Sequence, residues 1–327
     1  IDIQGPDAGA FLDFVYANTF STLKEGRVRY GLMLREDGHV MDDGTTARLG
    51  PQHYLMTTTT AAAGDVMRHL EFVAQALRPD WDVRFTSVTE QWAQFAIAGP
   101  KSRELLDDLL DAPLEEGDWP FMACGAVSVL GVAGRLFRIS FSGEHAYELA
   151  VPARYGDSLF RLLMARAEEK GGGPYGMEAL NVLRIEKGFI THAEIHGRVT
   201  ADDVGLGKMV SARKDCIGKA ASQRPGLLED REQLVGLMPV NQGETLTAGA
   251  HLYNEKDPAK REFNQGYVTS VAPSPMMGCW LGLGFLKNGR ARYGEVIRLD
   301  DGLRGRKVLV EVCNPVFFDP EGGRMRD

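Results

Sequence analysis

The sequence predicts an α+β chain in three parts, two mixed units followed by an all-β module. Three observations carry this. IDIQGPDAGAFLDFVYAN (1–18) and FAIAGPKSRELLDDLL (95–110) echo each other as a short strand, Gly-Pro and an amphipathic helix. Proline suits a helix start, where the N–H it lacks would have no intrahelical partner. The first unit follows the order of a split βαβ, ferredoxin-like fold. From residue 233 onward only short strands separated by turn signals remain, the spacing of a small β-barrel or jelly roll.

In the first unit the pattern predicts a strand over 1–4, a helix over 6–18 and strands over 28–35 and 43–49. A strand over HYLMTTT, a helix over 61–78 and a strand over DVRFTSV (82–88) complete it. The second unit should place strands near 121–130, 134–141 and 145–151, with helices over 154–170 and 176–188. GKAASQRPGLLEDRE (218–232) reads as a polar joint, followed by strands at VGLMPV, GYVTSV, CWLGLGFL, GEVIRLD and KVLVEVCN. The expected boundaries are 1–89, 90–217 and 218–327. Two copies of the strand–helix unit are too few for a solenoid.

The bulk numbers exclude several function classes. A chain of 327 residues suits two or three domains, and 44% hydrophobic with 25% charged residues is ordinary for a soluble globular protein. A net charge of −8 argues against a nucleic-acid partner, because phosphate binding needs a basic surface. No apolar run approaches the roughly 18–20 residues that span a bilayer, so no membrane partner is expected. Cys124, Cys216, Cys279 and Cys313 are scattered without C-x-x-C spacing, as in a protein of the reducing cytoplasm. Ile1 already lies in a strand-like segment, so the natural start is expected upstream.

GHVMDDG (38–44) is the most informative stretch. It reads as a β-hairpin whose return strand opens with Asp42 and Asp43. Neighbouring side chains on a strand point to opposite faces, so one aspartate should be wet and the other should look inward. A carboxylate aimed at a sheet's inner face needs a partner or a task. SGEHAYEL (142–149) repeats the anomaly with Glu148 before the apolar LAV; alone, it reads equally well as a surface residue on an edge strand. Together with Tyr30, Trp119, Phe141, Tyr147 and Phe189, the two carboxylates point to a shared pocket for a flat heteroaromatic ligand bearing N–H donors.

Other motifs carry less. HAEIH (192–196) departs from H-E-x-x-H, so structural histidines or groups lining a polar cavity are the reading and no metal site is expected. GLGKM (205–209) matches neither a dinucleotide nor a Walker loop, and no G-x-S-x-G is present.

VRYGLMLREDGHVMDDGTTARLG resembles the Asp-Asp hairpin of the folate-dependent aminomethyltransferases, the glycine cleavage T-protein family. FAIAGPKSRELL, FSGEHAYELAVPA, GMEALNVLRIEKGF, GLGKMV and KDCIGKAA follow in family order, so the resemblance covers nearly the whole chain. RIEKGFITHAEIHGR and the terminal NPVFFDPEGGRMRD look like the branch that forms the C-terminal part of sarcosine oxidase α subunits.

The resemblance implies a three-lobed cloverleaf with tetrahydrofolate in a central funnel. It assigns Asp43 as the catalytic carboxylate and Asp42 as structural, places Tyr30 on the ligand, and gives Glu148 the pterin's amino group and ring N–H. Thr57 and Thr59 would line the pterin site, with Trp119, Phe141 and Phe189 as aromatics around it. Leu180 and Asn181 stand where the T-protein has an Arg-Asp pair, leaving Arg184 or a partner subunit for the folate's glutamyl tail. In the oxidase branch, FAD, FMN and NAD would belong to the rest of the complex, with a flavoprotein β subunit and small subunits as partners. The implied activity is trapping of a sarcosine-derived iminium to give 5,10-methylenetetrahydrofolate and glycine. The alternatives are a T-protein-like aminomethyltransferase served by a lipoyl carrier protein, a related folate-dependent demethylase, and a non-catalytic folate-binding or assembly module.

Overall fold

The structure, a computed structural model, describes residues 1–115 and 117–326. The first unit contains strands β1 (Asp2–Gln4), β2 (Arg27–Leu34), β3 (Val40–Gly50), β4 (His53–Met56) and β5 (Arg84–Thr86). They form one antiparallel sheet in the order β2-β3-β4-β1-β5. Because β4 is antiparallel to both β1 and β3, these two run parallel with β4 between them. That is the split βαβ arrangement, with β2 added at the edge. Helices α1 (Ala8–Val15) and α2 (Ala63–Phe72) cover one face, burying Ile3, Phe11, Leu12, Tyr16, Met33, Val66 and Leu70 in one cluster.

The second unit contains β6 (Trp92–Ala98), β7 (Cys124–Val129), β8 (Val132–Phe137) and β9 (Ala146–Pro152), ordered β6-β9-β8-β7 and antiparallel throughout. Helices α3 (Ser102–Asp107) and α4 (Gly156–Glu169) cover its outer face over Leu106, Leu136, Tyr147, Leu149 and Leu159. Its inner face meets the bare face of the first sheet. Val28 and Ala47 from the first sheet pack there with Cys124, Phe137, Ile139 and Ala150. Backbone bonds tie the sheet edges, Val28 N–H to the Met122 carbonyl at 2.8 Å and Cys124 N–H to the Gly26 carbonyl at 2.9 Å.

The C-terminal strands β10 (Glu232–Pro239), β11 (His251–Asn254), β12 (Gly266–Ser274), β13 (Cys279–Lys287), β14 (Val296–Asp301) and β15 (Arg306–Cys313) close into a barrel. The expected choice between barrel and jelly roll therefore falls on the barrel. Strand β11 is an addition to the expected strands, since its four residues HLYN carry too short an alternation to stand out. Helix α5 (Met177–Glu186) leaves the second sheet for the barrel. Ile185, Ile195 and Val199 from this stretch fill a core with Leu32, Leu34 and Val40 of the first sheet and Leu281, Leu283 and Phe285 of β13.

A polar link crosses that core. The Arg184 guanidinium lies 3.2 Å from Glu194 and 2.6 Å from the Ser270 hydroxyl on β12, and both charged side chains are buried, at 4% and 0% exposure. Glu194 also accepts from the Thr191 N–H, the Thr191 hydroxyl and the Ser270 hydroxyl. Removing one member of such a pair leaves the other charge buried and alone. Glu194→Ala should therefore lower unfolding free energy by roughly 3–5 kcal/mol, read as a lower urea midpoint.

Candidate functional site

The site lies where the two facing sheets part. On β3 the side chains of Asp43, Thr45 and Ala47 share the bare face of the first sheet, and Asp43 pairs with Leu32 of β2. Asp42, Gly44 and Thr46 share the helix-covered face. Gly44 permits a close crossing there, because a Cβ would stand 2.2 Å from the Thr57 carbonyl oxygen.

Neither aspartate is wet. Asp42 is 5% exposed, since α1 and α2 cover its face, and its Oδ2 accepts the Thr59 N–H at 3.1 Å. Thr59 thus serves Asp42 from behind the sheet. Asp43 is half-buried and accepts a 2.5 Å hydrogen bond from the Tyr30 hydroxyl. Burial is the main force on its carboxyl, pushing it from 3.8 up to about 6; the Tyr30 hydrogen bond opposes this, and Asp42 and Glu194 add to it by charge. Burial, followed by the Asp43 charge, raises the Tyr30 phenol above its usual range, so it stays a donor.

From the opposite sheet comes Glu148 on β9. Its register partners are Phe137 on β8 and Ala96 on β6. Burial raises its carboxyl above the ordinary range, against a hydrogen bond donated by the Gln94 amide. Thr45, Ala47, Leu55, Thr57, Gln94, Phe137, Ile139 and Glu148 line a narrow cleft between the sheets. Thr57 holds the rim: its hydroxyl accepts from the Thr45 N–H at 2.9 Å and lies 3.0 Å from the Thr45 hydroxyl.

The remaining expected residues divide. Phe141 and Phe189 stack on each other, with centroids 5.9 Å apart and planes 18° apart. Phe141 is 42% exposed and lies two residues beyond the cleft-lining Ile139. The C-terminal segment braces this pair. Phe317 and Phe318 N–H donate to the Glu186 carbonyl, Lys187 pairs with Asp319 at 3.1 Å, and Arg324 pairs with Glu144 at 2.9 Å.

Of the expected residues, Thr57 and Glu148 line the cleft itself, and Trp119 and Arg184 are engaged elsewhere. The Trp119 indole sits over Gly125 of β7 and packs into the core under α3 and α4, the face opposite Glu148. Glycine at 125 leaves the seat that its ring fills. Arg184 is buried, its guanidinium taken up by Asn181, the Phe189 carbonyl, Glu194 and Ser270. It is a structural link and is not among the residues that line the cleft.

Gln94, Thr45 and Tyr175 join the site without having been expected there. The first two line the cleft, and Tyr175, half-exposed, feels the charge of Glu148. Gln94 carries a readable signal, a polar residue inside the apolar strand WAQFAIA. The HAEIH stretch resolves into separate roles: Glu194 is in the buried link, His196 shares a 2.6 Å hydrogen bond with Tyr267, and exposed His192 bears on Asp42 by charge. Among the described residues no group of three or more His, Cys, Asp or Glu is placed to hold a metal ion. Among the described residues no helix is long and apolar enough to cross a membrane.

Two antiparallel sheets that face each other across a cleft lined in part by Glu148, backed by a closed barrel, define an α+β protein of the aminomethyltransferase fold. The chain belongs to the glycine cleavage T-protein family: residues 1–214 match the GCVT N-terminal domain and residues 232–319 the glycine cleavage T-protein C-terminal barrel domain. It is 51% identical over 99% of its length to the sarcosine oxidase subunit alpha of Rhizobium meliloti and covers 33% of that protein. With the sarcosine oxidase subunit alpha of Corynebacterium sp. (strain U-96) it shares 41% identity, covering 34%. The chain thus spans about a third of these relatives. It is also 30% identical to the aminomethyltransferase of Cutibacterium acnes, over 97% of this chain and 84% of that one. Its fold matches the crystal structure of the glycine cleavage system aminomethyltransferase T from Bartonella henselae with a TM-score of 0.81 at 22% identity, over 97% of this chain and 82% of that one.

The state of Asp43 has a consequence for folding. A carboxyl raised from 3.8 to about 6 favours the folded state below pH 3.8, and that advantage is lost as pH rises through 6. Asp43→Asn, which can still accept from Tyr30, should stabilise the fold by roughly 1–3 kcal/mol at pH 7.5. The gain should vanish below about pH 4. Urea unfolding at the two pH values checks it.

Proposed function

We propose that this chain is a tetrahydrofolate-binding, one-carbon transfer domain that works as part of a sarcosine oxidase. The observation that carries the reading is a pair of carboxylates from two different sheets: Glu148 lines the cleft, and Asp43 lies on the facing sheet, on the same strand face as the cleft-lining Thr45. The family membership and the relatives named as sarcosine oxidase α subunits support it.

The residues present fit the pterin. Glu148 offers two acceptor oxygens, the complement of adjacent N–H donors. Ile139 and Phe137 on one side and the Thr45–Thr57 rim on the other would hold the ring. Phe141 and Phe189 would stack against the ligand's exposed part. When bound, tetrahydrofolate supplies a neutral amine nucleophile that takes up the one-carbon unit from an iminium, giving 5,10-methylenetetrahydrofolate and releasing glycine. That iminium would come from flavin-dependent oxidation of sarcosine, in a partner flavoprotein subunit. FAD, FMN and NAD are assigned to those other parts of the complex.

Asp43 has the chemistry of a proton carrier. With its carboxyl near pH 6, it can take and return a proton close to neutrality, a contribution of about 10²–10⁴ in rate for a well-placed general acid or base. Its negative charge, with those of Asp42 and Glu194 behind it, also favours cationic species at the cleft. Holding acceptor and iminium together replaces a dilute encounter with an oriented one and keeps the carbon from water.

The test is anaerobic calorimetry with reduced tetrahydrofolate, alongside product formation by the full complex. Glu148→Ala should weaken binding at least tenfold, about 1.4 kcal/mol, with a smaller effect on turnover of bound folate. Asp43→Ala should cut turnover by about 10²-fold or more and change affinity little. Equal effects of both variants on both quantities would refute this division of roles. Absence of saturable binding to the wild-type protein would refute the folate reading itself.

A further inference from the structure

We propose that Gln94 reads the pterin beside Glu148, donating an amide N–H to the carbonyl oxygen at C4 and so selecting 4-oxo over 4-amino pterins. This rests on the folate reading above and extends it to a residue that the family resemblance did not assign.

The argument begins with register. Ala96 of β6 lies opposite Glu148 of β9, and Gln94 lies opposite Ala150. Gln94 and Glu148 are therefore diagonal neighbours on one face, within reach of long side chains. Both line the cleft. The Gln94 Nε2 donates to Glu148 Oε2, and chemistry fixes that orientation, because a carboxylate only accepts and the amide must turn its nitrogen toward it.

An amide nitrogen carries two hydrogens, and this contact uses one. Beside the Glu148 carboxylate the cleft therefore holds a second N–H. The pair presents acceptor, acceptor, donor in sequence. A 4-oxopterin presents the complement along one edge: the 2-amino N–H, the N3–H and the C4 carbonyl oxygen. A 4-aminopterin presents donor, acceptor, donor there, which sets an N–H against the Gln94 N–H and a lone pair against the carboxylate. A site built to hydrogen-bond one pattern rejects the other because its own polar groups are left unpaired.

Gln94 is exposed, so replacing it leaves the core intact, and Gln94→Met keeps the length of the side chain without its donor. The experiment measures binding of folic acid and of its 4-amino analogue, aminopterin, to the full-length protein and to Gln94→Met, with Glu148→Ala alongside. The wild type should prefer folic acid by about tenfold or more. Gln94→Met should lose about tenfold for folic acid and change less than about threefold for aminopterin, so that the preference collapses. Equal weakening of both ligands would mean that Gln94 only holds Glu148 in place and would overturn the proposal, as would an unchanged preference. Failure of the wild type to bind either ligand, with Glu148→Ala equally silent, would overturn the folate reading and this proposal with it. Binding of folic acid that depends on Glu148 but not on Gln94 would overturn this proposal alone.

Discussion

Face-to-face packing of the two sheets is the constraint on which the rest depends. One face of each sheet is covered by its own helices, and the other would be left to water without a second sheet. Val28, Ala47, Cys124, Phe137, Ile139 and Ala150 close that gap. The seal stops short of the β3 hairpin, where the facing positions become Thr45, Thr57, Gln94 and Glu148. Apolar residues bring the sheets together and polar ones hold them apart. The cleft is a consequence of that change of residue type along two strands.

A protein selected for stability alone would not keep Asp43 and Glu148 in those positions. Burial raises both carboxyls, and the charges that bear most on Asp43, from Asp42 and Glu194, are negative. Each is held by a neutral donor, Tyr30 or Gln94, rather than a cation. A lysine or arginine there would stabilise the charge and drive the carboxyl back to its ordinary range, removing its ability to exchange protons near neutrality. By contrast, Arg184 and Glu194 form a buried charge pair that is satisfied on every side, and their work is structural. Asn181 supports this: its side-chain oxygen accepts from Arg184 at 2.9 Å, drawing the guanidinium further into the link.

Much of this is legible in the amino-acid sequence. Period-2 alternation separates Asp42 from Asp43, and a carboxylate in an otherwise apolar strand marks Glu148. Both signals are local, and both locate carboxyls whose burial raises them above the ordinary range. What the sequence hides is tertiary. Asp42 is a candidate for the wet face because nothing in GHVMDDG says that two helices will cover its side. Arg184 belongs to a motif whose neighbours differ from the T-protein pattern, but only the fold shows Glu194 and Ser270 closing on it. Resemblance assigns Trp119 to the ligand, and a single glycine on β7 gives its ring a seat on the other face. Gln94 is legible by the rule that selects Glu148, since a glutamine between Ala93 and Phe95 is the same anomaly. It draws less notice because an uncharged amide costs less to bury than a carboxylate.

The barrel closes the argument about positioning. It contributes no residue to the cleft lining, yet α5 rests on it, and the C-terminal segment returns across the end of α5. Gly188 is where these meet: it adopts φ +67°, and a Cβ there would stand 2.5 Å from the Pro315 carbonyl oxygen. That close approach sets the direction in which the chain leaves α5, and the next residue is Phe189, stacked on Phe141. Arg324 pins the turn at Glu144 from the other side, with its guanidinium over the Phe318 ring. Phe141 and Phe189, which come from separate segments of the chain, are thus fixed by a third. Two stacked rings held in this way keep their planes aligned without an ordering cost at each encounter. The C-terminal segment therefore sets the orientation of the Phe141–Phe189 pair through the residues next to it.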